Sequence, residues 1–171
     1  MESLTNDYIP LLAESGAIPI VIANHAYWSS ESNMTGLGNV ATFTSMIYEG
    51  AQQYAQALSE GLTQPVRVSP VGLAFLYVYE ANKEMWYMLT AGDDIHASVF
   101  GSFLTACVLY STITGKMPDK VILDDVKELF SAARSIKGER YGYPDKDQAT
   151  FLWDVAKKVG IQGVKPKSLQ L

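Results

Sequence analysis

The chain has almost no cysteine and no cluster of basic residues. Its 171 residues include one cysteine, Cys107, so no disulfide can form within the chain and the redox compartment stays undefined. The formal net charge is −5, from 13 Lys and Arg against 18 Asp and Glu. Because nucleic-acid binding needs clustered positive charge, we expect no nucleic-acid partner. The two histidines, His25 and His96, lie far apart and give no spacing typical of zinc, so we predict no metal and no cofactor.

The sequence also lacks the usual signals for export and membrane insertion. The first 16 residues, MESLTNDYIPLLAESG, have neither the basic start nor the apolar core of a signal peptide, so they indicate no compartment. The uncharged run over residues 97–115 reaches the length of a membrane span, but six of its 19 residues are Ser or Thr and acids precede it. We therefore expect a core helix there and no membrane span.

The segment over residues 92–118 combines a short polar turn with this long uncharged helix. Ser98 stands where a helix N-cap would accept a hydrogen bond from the first turn, and Gly115 stands where the helix would end. No charged stripe interrupts the apolar residues between them. The pattern therefore predicts a buried helix over residues 99–114, directly after the turn.

Asp93 and His96, on that turn, have the spacing of a carboxylate that orients a histidine base. A histidine acting as a base needs its second ring nitrogen held by an acceptor, and a carboxylate three residues earlier on a tight turn can do this. The same spacing also fits a helix-capping acid beside a surface histidine. The spacing alone leaves both interpretations open.

A longer pattern resembles a known family. Residues 93–118 read D-x-I-H-x-S-x-x-G-x-x-L-x-A-x-x-x-Y-x-x-x-T-G-x-x-P, which resembles the last block of the SGNH hydrolases, or GDSL-type esterases, in their carbohydrate-esterase-like branch. Residues 18–28, IPIVIANHAYW, resemble a strand and aromatic-rich loop of that branch, and residues 66–75, VRVSPVGLAF, resemble the next strand and turn. The resemblance covers residues 5–118 in the right order.

This resemblance implies roles for individual residues. Asp93 would be the orienting acid and His96 the base of an ester hydrolase. Tyr27, Trp28 and Trp86 would line a pocket for a small acyl ester or an acylated carbohydrate, although Trp86 fits the core equally well. His25 is a further candidate, because ligands bind at loops that leave the carboxyl ends of parallel strands, but a loop histidine is more often simply solvated.

The chain departs from the family at the nucleophile. It contains no Gly-Asp-Ser, and the blocks that supply an oxyanion-hole Gly and Asn are missing too. None of its serines 29, 30, 32, 69 and 98 stands in a strand–turn–helix elbow. Two functions stay open: a non-catalytic structural or interaction subunit, which we favour, and an active serine ester hydrolase whose nucleophile comes from a missing segment or another chain.

The apolar patterns predict an α/β fold. The β-branched run over residues 17–23 indicates a parallel strand covered on both faces, and residues 66–69 indicate a second. Helices are predicted over residues 5–15, with Leu11 and Leu12 inward, over 40–60, and over 73–81, where a strand is the alternative.

With the resemblance, these patterns predict a partial three-layer SGNH or flavodoxin-like sandwich over residues 1–118. A helical extension over residues 119–171, with helices near 119–135 and 145–160, would pack on it. Because two strands leave one edge of the first unpaired, we expect a homo-oligomer or a partner subunit that completes the sheet.

Overall fold

The computed structural model describes residues 3–124, 128, 130 and 142–170. Over these residues the chain is a mostly helical α/β protein with two short parallel strands. The helices and strands are α1 (Ile9–Ser15), β1 (Ile20–Ile22), α2 (Val40–Gly61), β2 (Arg67–Ser69), α3 (Val71–Ala81), α4 (Lys83–Met88), α5 (Val99–Thr114) and α6 (Lys146–Gly160). A π-helical segment, Leu4–Tyr8, precedes α1, and 3-10 turns cover Trp28–Ser32, Lys120–Leu123 and Lys167–Leu169.

The two strands pair in parallel, with Val21 opposite Val68, and α2 connects them. Both predicted strands are therefore confirmed, although each is shorter than its apolar run. In the part of the chain that the structure describes, β1 pairs with β2 alone, so its other edge has no strand beside it. The loops after both strands leave at the same end of the sheet, as parallel pairing requires.

The expectation that β1 is covered on both faces is wrong. Ile18 and Ile22 are 49% and 50% exposed, and β1 has no fully buried residue. The helix α2 lies against both strands and α5 against β2, which leaves part of the apolar run uncovered. In α1, Leu11 is also exposed, so the expectation that its side chain points inward is wrong. A continuous apolar run therefore does not identify which residues other elements cover.

The helix α5 lies at the centre of the hydrophobic core, against α3 and α6. It has the predicted bounds and the predicted caps: Ser98 Oγ accepts from the backbone N–H of Phe100 at 3.1 Å and of Gly101 at 3.3 Å, and Gly115 ends the helix with φ 70°. Among the described helices, none combines the length and apolar character that crossing a membrane would need.

Side-chain caps mark the start of α2 and of α6. Asn39 caps α2, and Asp145 forms a capping box with Gln148 at the start of α6, which confirms the helices predicted over residues 40–60 and 145–160. Residues 71–81 form a helix, so the strand alternative is wrong there. Most of the helix predicted near residues 119–135 lies outside the described residues.

Candidate active site

The polar turn before α5 is built by the side chain of Asp93. Its Oδ1 accepts from the backbone N–H of Ile95 at 3.2 Å and of His96 at 2.9 Å, which closes the turn locally. Gly92 and Asp94 adopt left-handed backbone conformations, with φ 86° and 73°. Glycine adopts this region readily, whereas a non-glycine residue such as Asp94 does so at a cost of about 1–2 kcal/mol. Other contacts must therefore stabilise Asp94.

Asp93 and His96 form the predicted hydrogen-bonded pair. His96 Nδ1 lies 2.6 Å from Asp93 Oδ2, and the two side chains are 75% and 52% exposed, His96 the more so. The pKa of Asp93 is lowered from 3.8 to about 2. The hydrogen bond from the His96 backbone contributes most, and the bond from the His96 ring comes next. In the neutral imidazole, Nδ1–H then donates a hydrogen bond to the ionised carboxylate of Asp93, which leaves the lone pair of Nε2 available as a proton acceptor.

Asp94 joins this turn to the loop that follows β1. Its Oδ1 accepts from the backbone N–H of Ser29 at 2.5 Å, and its Oδ2 accepts from Ser29 Oγ at 2.6 Å. The backbone N–H of Trp28 also donates to the Asp94 carbonyl oxygen, at 3.3 Å. These three bonds hold Asp94 in its left-handed conformation and bring the two loops together.

His25 makes a further connection between the same loops. Its side chain is almost fully buried, at 6% exposed, and its ring stacks on Phe75 with centroids 4.4 Å apart and planes 13° apart. Nε2 lies 3.1 Å from the carbonyl oxygen of Ile95, and Nδ1 lies 2.9 Å from Asn24 Oδ1. Both partner oxygens only accept, so the single proton of the neutral ring can serve one of them; we assign it to Nε2, because Asn24 Oδ1 already accepts from the backbone N–H of His25 at 2.9 Å. Burial lowers the pKa of His25, while the bond to Ile95 opposes the change.

A cavity of about 830 Å³ lies between the loop and the turn. Trp28 and Tyr87 meet there edge to face, with ring centroids 5.9 Å apart. Lys83 forms an ion pair with Glu31, and Tyr87 donates a hydrogen bond to Glu31 at 2.7 Å. The hydrogen bond from Lys83 lowers the pKa of Glu31, so this carboxylate is ionised. The lining residues are Trp28, Ser29, Glu31, Ser32, Met34, Tyr87, Gly92, Asp93 and Asp94.

The three aromatic residues that were predicted to line a pocket lie in different environments. Trp28 lines the cavity. Tyr27 lies outside its lining and packs edge-on against Phe43, with centroids 5.2 Å apart. Trp86 is 2% exposed and belongs to the core, so the core alternative is the one that the structure supports. The cavity is lined instead by the next residue, Tyr87, because neighbouring helix residues point about 100° apart and Trp86 and Tyr87 cannot share a face.

The serines near the turn are engaged elsewhere. Ser29 donates to Asp94, while Ser98 caps α5 and donates to the Met88 carbonyl oxygen. Ser30 is fully buried, and its hydroxyl has no hydrogen-bond partner in the described part of the chain. Across residues 3–124 and 142–170 we find no serine hydroxyl bonded to His96, and no group of three or more side chains suited to hold a metal ion.

Comparison with protein-family models, with curated proteins and with solved structures found no match for this chain.

Proposed function

We propose that this chain is a module of the SGNH-hydrolase type that carries the acid and the base of an ester hydrolase site but does not itself hydrolyse esters through an acyl-serine. The observation that carries the proposal is the Asp93–His96 pair, with Nδ1 and Oδ2 2.6 Å apart; Asp93 lines the open cavity, and His96 lies outside its lining. Ser29, a candidate nucleophile that lines this cavity, donates a hydrogen bond to Asp94 instead. In this role the chain acts as a structural or interaction subunit, a pseudoenzyme.

The reaction of a complete ester hydrolase site shows which groups Asp93 and His96 do not supply. In a complete site, His96 Nε2 would take the proton of a serine hydroxyl while the serine oxygen attacks the ester carbonyl. The alcohol would leave with that proton, and water would then release the acid from the acyl-serine. Hydrogen-bond donors must also stabilise the negative oxygen of the tetrahedral intermediate, which is usually the largest contribution to such catalysis. A base and its orienting acid therefore supply only part of the site.

The alternative is an active serine ester hydrolase whose nucleophile comes from a missing segment or another chain. The cavity favours this alternative, because its aromatic walls, Trp28 and Tyr87, suit a small acyl group or a sugar ring, and Asp93 stands at its edge. In that case the substrate would be a small acyl ester or an acylated carbohydrate, and the missing segment or the other chain would contribute the serine.

The open edge of β1 supports a partner in either case. An unpaired strand edge presents backbone N–H and C=O groups that can pair with another strand, and here exposed Ile18 and Ile22 flank them. We propose that a second copy or a different subunit pairs with this edge, completing more of a three-layer sandwich. Light scattering at micromolar concentration should give a mass above that of one chain, whereas a monomer that binds no apolar dye would contradict the pairing.

Turnover of p-nitrophenyl acetate tests the catalytic part of the proposal. An exposed histidine can hydrolyse this ester slowly, as free imidazole does, so we expect at most a slow, non-saturating rate that His96→Ala removes. We expect no burst of product and no inhibition by a serine-directed phosphonate. A burst that both the phosphonate and His96→Ala abolish would refute the proposal and support the active hydrolase, with Ser29→Ala as the first test of the nucleophile.

A further inference from the structure

The turn that carries Asp93 and His96 is exposed, yet its conformation requires an unfavourable backbone at Asp94. The bonds within the turn, from Ile95 and His96 to Asp93 Oδ1, are exposed, and competition from water weakens their net contribution. The contacts that distinguish this turn from an ordinary surface turn come from the loop after β1.

We infer that His25 and Asp94 are positioning residues, which together hold the turn of Asp93 and His96 in the geometry of the pair. This inference rests on the proposed function for its purpose, since positioning matters where the pair is used. Its physical content is separate, because it concerns how the turn is held whether or not any ester is hydrolysed.

His25 has the properties that such a role needs. Its ring is fixed by stacking on Phe75 and by burial, so the direction of Nε2 is set by the core rather than by solvent. Nε2 donates to the carbonyl oxygen of Ile95, the residue between Asp94 and His96. A rigid buried donor thus reaches the middle of an exposed turn, which connects the core to the pair.

Asp94 completes the connection from the turn side. Its two carboxylate oxygens accept from the backbone N–H and the hydroxyl of Ser29, and its own carbonyl oxygen accepts from Trp28. Because the carboxylate makes these bonds from the left-handed backbone, they favour that conformation. That conformation in turn places the N–H groups of Ile95 and His96 over Asp93 Oδ1.

The pKa of Asp93 reports whether the turn is held, because the same hydrogen bonds lower it to about 2. We would measure this pKa by carbon-13 NMR during a pH titration of the whole chain, together with hydrogen exchange of the Ile95 and His96 amides. His25→Phe keeps a ring on Phe75 but removes the donor. We expect the pKa of Asp93 to rise toward 3.8 and the two amides to exchange roughly tenfold faster.

The conservative variant separates positioning from packing. In His25→Gln the amide nitrogen can donate to the Ile95 carbonyl oxygen, so the pKa of Asp93 and the exchange rates should stay near those of the unchanged chain. Thr35→Ala is the matched control in the same loop, because Thr35 Oγ1 accepts from the backbone N–H of Leu37 at 3.1 Å and lies outside the cavity lining. It should leave both measurements unchanged.

Two results would overturn the inference. One is a folded His25→Phe chain with an unchanged pKa of Asp93, and the other is an equal change in His25→Phe and His25→Gln. If His25→Phe does not fold, the comparison of Asp94→Ala with Asp94→Asn tests the inference instead. Asp94 is only partly buried, so both variants should fold, and asparagine keeps a side-chain oxygen that can accept from Ser29. Asp94→Ala should raise the pKa of Asp93 more than Asp94→Asn does, and no change in either variant would refute the inference. None of these measurements depends on ester turnover, so they and the proposed function can fail separately.

Discussion

Replacing Gly101 by Ala should destabilise the protein, because the first turn of α5 lies directly on the backbone that leads into the polar turn. A Cβ at this position would lie 2.2 Å from the carbonyl oxygen of Leu89 and 3.1 Å from the Cβ of Ala97. The Leu89 carbonyl oxygen cannot move away freely, since it accepts a hydrogen bond from the backbone N–H of Ser98 at 2.8 Å. The helix must therefore shift away from the turn, or the turn must shift away from the helix.

The size of the effect follows from two opposing contributions. Overpacking in a well-packed core costs about 1–3 kcal/mol, and a contact with backbone belongs at the upper end of that range. Alanine in place of glycine within a helix returns up to about 1 kcal/mol. We expect the free energy of unfolding to fall by about 2 kcal/mol, measured by urea denaturation as a lower midpoint at unchanged slope.

Gly50→Ala is the matched control for this prediction. Gly50 lies within α2, and a Cβ there would have no atom within 4 Å. Only the gain in helix propensity applies, so this variant should raise the free energy of unfolding by about 0.5–1 kcal/mol. The reasoning fails if Gly101→Ala is as stable as the unchanged chain while Gly50→Ala behaves as expected.

Three further predictions concern single side chains. Because the pKa of Asp93 is about 2 in the folded chain and 3.8 ordinarily, its ionised form adds stability above pH 4 that is lost as the pH falls toward 2; the difference in stability between Asp93→Asn and the unchanged chain should shrink over this range. Burial raises the pKa of Cys107 to about 12, so iodoacetamide should label it only after denaturant unfolds the chain. Labelling of the folded chain as fast as that of a free thiol would contradict its burial. Arg67 donates to the carbonyl oxygens of Thr112 and Ile113 at 2.8 and 2.6 Å, at the end of α5, so Arg67→Ala should lower the unfolding free energy by about 1–2 kcal/mol in urea, with Arg67→Lys losing less.

Local chemistry explains which features the sequence predicted. Ser98 and Gly115 define the ends of α5 because a cap acts on the first or last turn of its own helix. The contact of Asp93 with His96 could be predicted for the same reason, since the two residues are three apart on one tight turn. Both depend on side chains and backbone within a few residues.

The tertiary structure alone decided the rest. Asp94 binds Ser29 across 65 positions and His25 binds Ile95 across 70, and no spacing in the sequence indicates either contact. The same holds for the exposure of Ile22, because whether an apolar side chain is covered depends on which other elements pack against it. The sequence by itself thus determined most of the described helices and the contact of Asp93 with His96. The packing of distant loops determined how that pair is held and what surrounds it, because long-range contacts form only once the whole chain has folded.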